Sequence, residues 1–349
     1  MRNNIVRIAI IIILIFILLI TYFSYYDYKP NIVEKSKIIK DQSINKELDK
    51  TVINLLIWNI GFGALGSEVD YFTAGGKMSV ANSKEYVKKN LDGIVNLMKA
   101  KRIDFYLLQE VDILSKRSCY IDEYKFLMDV FKKSNSVFAS NYVVKYIPYP
   151  FFNTLGKVTS GLATLSKYNI DCAYRYTLPG NYIWPVRTVM PDRCILVTEC
   201  NIKHTDKKLV LINIHNSAFD SNGKLRKQQI GFIKKYMLER YKQGNYIIVG
   251  GDWNFIFDKK PRAHVLKTDE FIPYEWKPTD WKWAVDYKIP TNRKLSAPYS
   301  KKLTRVKIID GYLVSPNIDI VEVKGINHEF KFSDHNPVYM KVKLKETSF

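Results

Sequence analysis

The chain has 349 residues, 47% of them hydrophobic, enough to enclose a large core in one domain of about 300 residues. Its 54 Lys+Arg against 34 Asp+Glu give a formal net charge of +20. That excess favours an anionic partner: nucleic acid, phosphorylated lipid headgroups or an anionic membrane surface. Part of it is compositional, because Lys, Asn and Ile are abundant throughout, and the lack of internal repeats or low-complexity tracts excludes a repeat array. Cys119, Cys172, Cys194 and Cys200 lack zinc-ligand spacing; they read as buried thiols or one structural bridge.

In chain order, Ile8 to Ile20 is unbroken apolar, followed by Thr21, Tyr22 and Phe23 with Tyr25, Tyr26 and Tyr28 close behind. At ~1.5 Å per residue, the run from Ile5 to Tyr25 suffices for a ~30 Å hydrocarbon layer. Arg2 and Arg7 precede the unbroken run from Ile8, while Asp27, Lys29, Glu34 and Lys35 nearly cancel after it. This charge bias places the N-terminus in the cytoplasm and the rest outside. No small-residue cleavage site follows, which favours an uncleaved anchor over a cleaved signal peptide. The expected division is an anchor over 1–26, a polar linker over 27–50 and one globular domain over 51–349.

Val52 to Trp58 reads as a buried strand, and Gly61, Gly63 and Gly66 as a loop. Asn82 with Glu85 resembles a helix capping box, and Val87, Leu91, Ile94, Val95 and Met98 repeat at helical spacing. Ile103 to Leu108 is the next strand, and Ile121 to Phe131 a second helix. Strands are then expected over Val137–Tyr146, Gly161–Leu165, Ile195–Ile202 and Leu209–His215. Lys224 to Tyr241 has the periodicity of a helix, and Tyr246 to Val249 that of a buried strand. The aromatic, Pro- and Lys-rich segment 255–304 has no clear pattern, and such long segments are more often functional than idle. Val306–Ile309 and Val338–Val342 close the chain as strands. This alternation suggests two sheets packed face to face, helices outside, with a site at one rim.

Polar residues recur just after the apolar runs: Trp58-Asn59, Gln109-Glu110-Val111-Asp112, Asn213-Ile214-His215, Gly251-Asp252-Trp253-Asn254, Asp310-Gly311 and Ser333-Asp334-His335-Asn336-Pro337. Each alone has a bland reading as a solvated strand end or a turn. In Gly250-Gly251-Asp252-Trp253-Asn254 the glycines permit a sharp turn, and an extended backbone would aim Asp252 and Asn254 at one point. Six such clusters in a chain with five histidines point to one polar centre at the ends of several strands.

These clusters, with Ser160-Gly161-Leu162 and Leu165-Ser166-Lys167-Tyr168, resemble in order and approximate spacing the endonuclease/exonuclease/phosphatase superfamily, over about residues 52–345. The resemblance implies an α+β fold, a four-layer α/β/β/α sandwich of two packed mixed sheets. It also implies divalent-metal phosphoester hydrolysis, with Mg²⁺ expected and Mn²⁺ or Ca²⁺ the alternatives. On that reading Glu110 is the principal metal ligand, a hard carboxylate for a hard cation, with Asn59 and Asp334 supporting metal, phosphate or water. His335 contacts phosphate or acts as base, and Asp310 fixes its tautomer. His215 contacts phosphate or protonates the leaving group, Asp252 orients water, and Asn254 holds the pentacovalent phosphorus.

Arg117, Arg187, Arg193 and Arg293 are candidates for phosphate contact, each equally readable as a structural ion pair. His204, His264 and His328 match no cluster. The charge favours nucleic acid as substrate and hence a nuclease. The alternatives are a phospholipid or sphingolipid phosphodiesterase, with Trp276, Trp281, Trp283 and Tyr287 as an interfacial patch or as core, a small-molecule phosphatase, and a non-catalytic binding protein. No obligate protein partner is evident; the partners expected are the anionic phosphoester and a membrane held through the N-terminal helix.

Overall fold

The computed structural model describes residues 2–41, 46–218, 220–257 and 270–345. A helix α1 (Arg2–Tyr25) precedes two short strands, β1 (Val33–Lys35) and β2 (Ile38–Ile39). The globular part begins with β3 (Val52–Asn59), α2 (Lys84–Lys99), β4 (Phe105–Asp112) and α3 (Glu123–Val130). Strands β5 (Asn135–Ile147), β6 (Gly156–Ser166), β7 (Cys172–Thr177), β8 (Cys194–Asn201) and β9 (Lys208–His215) follow. Helix α4 (Lys224–Lys242) leads into β10 (Tyr246–Asp252), then β11 (Lys282–Ala284), β12 (Asn292–Arg293) and β13 (Val306–Lys307). The last strands are β14 (Asp310–Val314), β15 (Ile318–Gly325) and β16 (Val338–Leu344).

One seven-stranded sheet runs β1-β7-β8-β9-β10-β14-β11 and the other β15-β16-β3-β4-β6-β5-β2, with β12-β13 as a separate ribbon. Alternation along single strands shows why they stack. Ile53, Leu55 and Ile57 of β3 enter the core between the sheets, whereas Leu56 and Trp58 pack with Val87, Leu91 and Ile94 of α2. On the other sheet, Leu209 and Leu211 of β9 point into the same central core, while Val210 and Ile212 pack with Ile230 and Ile233 of α4. Both faces of the central strands are therefore covered, so their sequences read as continuous apolar runs. Each such side chain contributes about 1.5–3 kcal/mol by leaving water. The layers are helix, sheet, sheet, helix, as expected.

Each sheet contains one parallel pair with a helical crossover. Strand β3 pairs parallel to β4, with Asn59 opposite Gln109, and β9 pairs parallel to β10, with His215 opposite Asp252. β14 runs antiparallel to β10, which sets Asp310 opposite Asp252. β16 is antiparallel to β3, so the turn before it carries Asp334 and His335 back to the same rim. Between the sheets Gln109 Nε2 donates to Asn213 Oδ1 at 2.7 Å, and Asn213 Nδ2 donates to the Leu108 and Ala163 carbonyls. This buried polar bridge fixes the two sheets against each other beneath the site.

Several details differ from the sequence reading. The cap of α2 is Ser83, whose Oγ accepts from Tyr86 N at 3.1 Å, so Asn82 stands one residue too early. The stretch expected to be a linker gives an edge strand to each sheet: β1 pairs with β7 and β2 with β5. The strand expected at 306–309 is displaced, because only Val306–Lys307 pair there and the full strand begins at Asp310. Trp276 and Trp281 are buried, and Trp276 and Trp283 pack against Trp253 at centroid distances of 5.6 and 4.9 Å. They belong to the core rather than to an interfacial patch. All four cysteines are free thiols. Part of the segment 255–304 (258–269, with His264) lies outside the described residues.

Candidate active site

The rim where the strand ends converge encloses a cavity of about 640 Å³. Its polar floor includes Glu110, His215, Asp252, Asn254, Asn292, Asp334 and His335, with Asn59 buried beside it. Its wall is apolar and aromatic, with Phe62, Leu65, Tyr71, Phe72, Leu155 and Val189 among the lining residues.

Asn59, at the end of β3, ties two acids together: its Nδ2 donates to Glu110 Oε1 and to Asp252 Oδ2, both at 3.2 Å. Its Oδ1 already accepts from Gly61 N at 3.1 Å, so its observed work is to position the carboxylates. Glu110 escapes the alternation of β4 through a bulge, where the pairing with β6 shifts between Leu108 and Val111 and Glu110 takes a φ of +53°. Its carboxylate is partly exposed to the cavity.

Asp252 is buried at the end of β10, and burial, then the charge of Asp310, raises its pKa. The glycines before it do not make a turn. Gly250 and Gly251 remain in the strand, and a Cβ on Gly251, at φ +142°, would meet the Ile214 carbonyl at 2.2 Å. Gly251 permits the close approach of β9 to β10 that brings His215 to Asp252, and Gly250 makes room for Tyr312 and Ile57. Asn254 lies beyond the strand at φ +52°, so the extended i, i+2 geometry does not apply. Instead its backbone N donates to Asp252 Oδ1 and its Nδ2 to the Asn216 carbonyl, both at 2.9 Å. Both residues line the cavity by this tight turn.

His215 Nε2 lies 3.5 Å from Asp252 Oδ2 and 3.8 Å from Glu110 Oε1. Burial first, then the charges of Arg193, His335 and Arg117, push its pKa well below the usual imidazole range, which favours the neutral ring. His335 has the opposite character. Burial works against its charge, but Asp310, Asp334 and Asp252 prevail and push its pKa up to about 10. Its Nδ1 donates to Asp310 Oδ2 at 2.8 Å, and Asn292 meets its Nε2 at 2.9 Å. The Asn292 amide serves an imidazolium through its oxygen and a neutral ring through its nitrogen, since the two amide orientations are sterically equivalent.

Asp334 has its pKa raised, by burial above all with Glu110 adding to it, and its Oδ1 is buried without a hydrogen-bond partner. Donor atoms of Asp252, Asp310 and His335 also lie within 4.8 Å of one another. His335 Nδ1 is already engaged by Asp310, which makes Glu110 and Asp334 the better-suited oxygen donors for a cation. A second acidic group, Asp171, Cys172 and Glu199, is ion-paired by Lys208 and Arg240.

The four arginines divide sharply. Arg193 lines the cavity and forms no side-chain hydrogen bond or ion pair with the described residues. Arg117 lines it too, but its guanidinium is held by both oxygens of Asp112, at 3.0 and 2.8 Å, and lies over Phe62. Arg187 pairs with Asp27 at 2.9 Å, outside the cavity lining. Arg293 is buried and donates to the carbonyls of Leu65, Gly66 and Val69. Arg187 and Arg293 are therefore structural here, and Arg117 is already neutralised. Sequence reasoning missed Asn292, whose segment carries no periodic signal, and gave no role to Ser333, whose Oγ donates to the Asn59 carbonyl and accepts from His335 N. His328 packs against Trp58 and Phe332, and its pKa is lowered to about 4 by burial.

Residues 56–335 match the sequence profile of the Endonuclease/Exonuclease/phosphatase family. The chain belongs to this family. Solved structures agree on the fold of the endonuclease/exonuclease/phosphatase family. An endonuclease/exonuclease/phosphatase from Beutenbergia cavernae superposes with a TM-score of 0.59 at 16% identity, covering 85% of this chain and 72% of the other. The corresponding protein from Bacteroides vulgatus gives 0.55 at 18%, covering 85% and 100%. A 2′,3′-cyclic phosphatase in complex with adenosine-2′,3′-vanadate gives 0.57 at 12%, covering 90% and 99%. No curated protein matches the chain by sequence. Membership in the endonuclease/exonuclease/phosphatase family makes the chain a phosphoester hydrolase by class, with acidic groups able to hold a metal ion.

Proposed function

We propose that the chain hydrolyses a phosphoester inside this cavity with the help of a bound divalent cation. The observation that carries the reading is the convergence of two histidines on one carboxylate. His215 Nε2 and His335 Nε2 lie 3.5 and 3.7 Å from Asp252 Oδ2, with burial favouring the neutral ring of His215 and the charges of Asp310, Asp334 and Asp252 favouring the imidazolium of His335 against burial.

The donor set fits a hard cation, since Glu110 and Asp334 offer carboxylate oxygens and Asp334 Oδ1 has no other partner. When bound, Mg²⁺ or a similar ion would polarise the phosphoryl oxygens and stabilise the leaving oxyanion. Asp252, with a raised pKa, takes a proton from the attacking water. The charged His335, held by Asp310, binds a phosphoryl oxygen. Asn254 and Arg193 hold the others. His215 is placed to relay a proton between Asp252 and the leaving group. The P–O bond breaks as the water oxygen bonds to phosphorus, and the proton that Asp252 accepts balances the one the leaving oxygen gains.

A nuclease is favoured by the charge of +20. Three of the four arginines expected to contact phosphate are internally committed, however, and the cavity wall is aromatic, so the cavity suits a compact phosphoester. The helix α1 also supports an anchor. Within Asn3–Tyr25 an 18-residue window has a mean hydropathy of 3.0 and none of that window is buried by the rest of the chain. With Arg2 and Arg7 ahead of the apolar run that begins at Ile8, the proposed orientation has the N-terminus cytoplasmic and the catalytic domain extracytoplasmic.

Calorimetry with inorganic phosphate tests the site directly. Phosphate binding in chelator should be weak and should strengthen with Mg²⁺, and Glu110→Gln should remove most of that gain. Equal phosphate affinity with Mg²⁺ and with chelator would contradict the proposal, as would chelator-resistant turnover of bis(4-nitrophenyl) phosphate.

A further inference from the structure

Two loops beside the cavity leave large apolar side chains in solvent. One carries Phe151 and Phe152, 81% and 107% exposed, and the other carries Ile183, Trp184 and Val186, at 85%, 50% and 53%. Such a concentration on a folded domain marks an interaction surface. Both loops continue directly into the cavity wall. Tyr149 lines the cavity and meets Phe72 at 5.7 Å, and Val189 to Pro191 line it from the second loop. Tyr142 Oη donates to the Val189 carbonyl at 3.0 Å, which ties the second loop to β5.

The second loop is also joined to the end of α1. Trp184 Nε1 donates to Ser24 Oγ at 3.0 Å, and Arg187 Nη2 pairs with Asp27 Oδ2 at 2.9 Å. The chain that follows α1 is not a free tether. The Asn31 carbonyl accepts from Thr177 Oγ1 and the Ile32 carbonyl from Thr177 N, both at 2.8 Å, before β1 pairs with β7. The apolar helix end, the exposed apolar loops and the cavity wall thus form one connected face.

We infer that this face docks on the same bilayer that α1 crosses, so that the cavity opens onto the headgroup layer and takes a membrane-resident phosphoester. Phe151, Phe152 and Ile183 enter the interface, where aromatic and aliphatic side chains beside a spanning helix are stable. The phosphate reaches Asp252 and His335 while the apolar part of the substrate lies along the aromatic wall. The inference rests on the hydrolase and anchor readings above.

The test uses the full chain in vesicles of phosphatidylcholine and phosphatidylserine with Mg²⁺. The Phe152→Trp variant, measured in vesicles whose acyl chains carry bromine, should show quenching of the added emission. The variant Phe151→Ser/Phe152→Ser/Ile183→Ser should release phosphorylated headgroup from vesicles about tenfold more slowly than the parent, with unchanged turnover of soluble bis(4-nitrophenyl) phosphate. An unquenched Phe152→Trp, or equal vesicle turnover in parent and triple variant, overturns the docking. Cleavage of plasmid DNA or RNA without any turnover of vesicle lipid overturns the substrate class. Failure of the readings beneath it shows separately. Without bis(4-nitrophenyl) phosphate turnover by the parent chain, the hydrolase reading fails. Release of the chain from vesicles by alkaline carbonate refutes the anchor.

Discussion

Replacing Asp310 by Asn removes one charge from a buried pair and leaves the shape of the site unchanged. His335 Nδ1 loses a carboxylate at 2.8 Å, the strongest of the influences that hold its pKa near 10 against burial. A rise from 6.5 to about 10 corresponds to on the order of 5 kcal/mol of preference for the imidazolium. With Asp310 gone, burial opposes the charge with only Asp334 and Asp252 to offset it, so the pKa should fall by several log units. The charged hydrogen bond itself contributes roughly 1.5–3 kcal/mol, and losing it should lower kcat about 10- to 150-fold. The sign for stability follows from the raised folded pKa. The pair's contribution is fully present below the unfolded value near 6.5 and is lost as pH rises through about 10. NMR titration of the His335 ring in chelator-treated protein checks this. The parent ring should stay protonated at pH 8, and the ring of Asp310→Asn should not. Urea midpoints should fall with pH in the parent across this window and much less in the variant. A variant ring still protonated at pH 8, with kcat within twofold of the parent, would refute the argument.

The arginines give a paired prediction. Arg293→Met leaves three buried carbonyls without their donor and should cost roughly 3–5 kcal/mol in urea unfolding. Arg193→Gln should leave the urea midpoint nearly unchanged and lower kcat/KM about tenfold or more. Gly251→Ala places a Cβ against the Ile214 carbonyl at 2.2 Å, so it should part β9 from β10 and cost about 3 kcal/mol or more in thermal unfolding. A Gly251→Ala variant as stable as the parent would show that the two strands do not need this contact.

Central strands were legible because two covered faces demand an apolar run, as in Leu55 to Trp58 or Ile247 to Val249. Strands at the sheet edges, and β7 beside one, were not. β7 sets Arg175 between Tyr174 and Tyr176, β15 exposes Val321 and Glu322, and β1 and β2 are too short for any period. The site was legible in kind, because a polar residue at the end of a buried strand has few neighbours to serve except another strand end. The aim of each side chain was not. Glu110 depends on a bulge that appears only when β4 pairs with β6. Asn292 is brought to His335 by the isolated bridge between those two residues, which no local pattern announces. The fate of an arginine is equally nonlocal, since Arg293 is satisfied by carbonyls more than 200 positions away in sequence.

Charge in the cavity follows from that same convergence. Glu110, Asp252, Asp310 and Asp334 meet at one rim, and His335 and Arg193 are the cations that act on them without a prior commitment. The excess is visible in the raised pKa values of Asp252 and Asp334, each pushed up by a neighbouring acid as well as by burial. A phosphoester adds further negative charge. Two like unit charges ~4 Å apart at an effective dielectric of ~20 repel by about 4 kcal/mol, on the order of a thousandfold in affinity. A divalent cation held by Glu110 and Asp334 would reverse that sign for acids and substrate together. Linkage then requires reciprocity: whatever factor the cation adds to phosphate binding, phosphate must add to cation binding. The requirement for metal would thus arise from the electrostatics of strand ends gathered at one rim, before any chemistry on phosphorus begins.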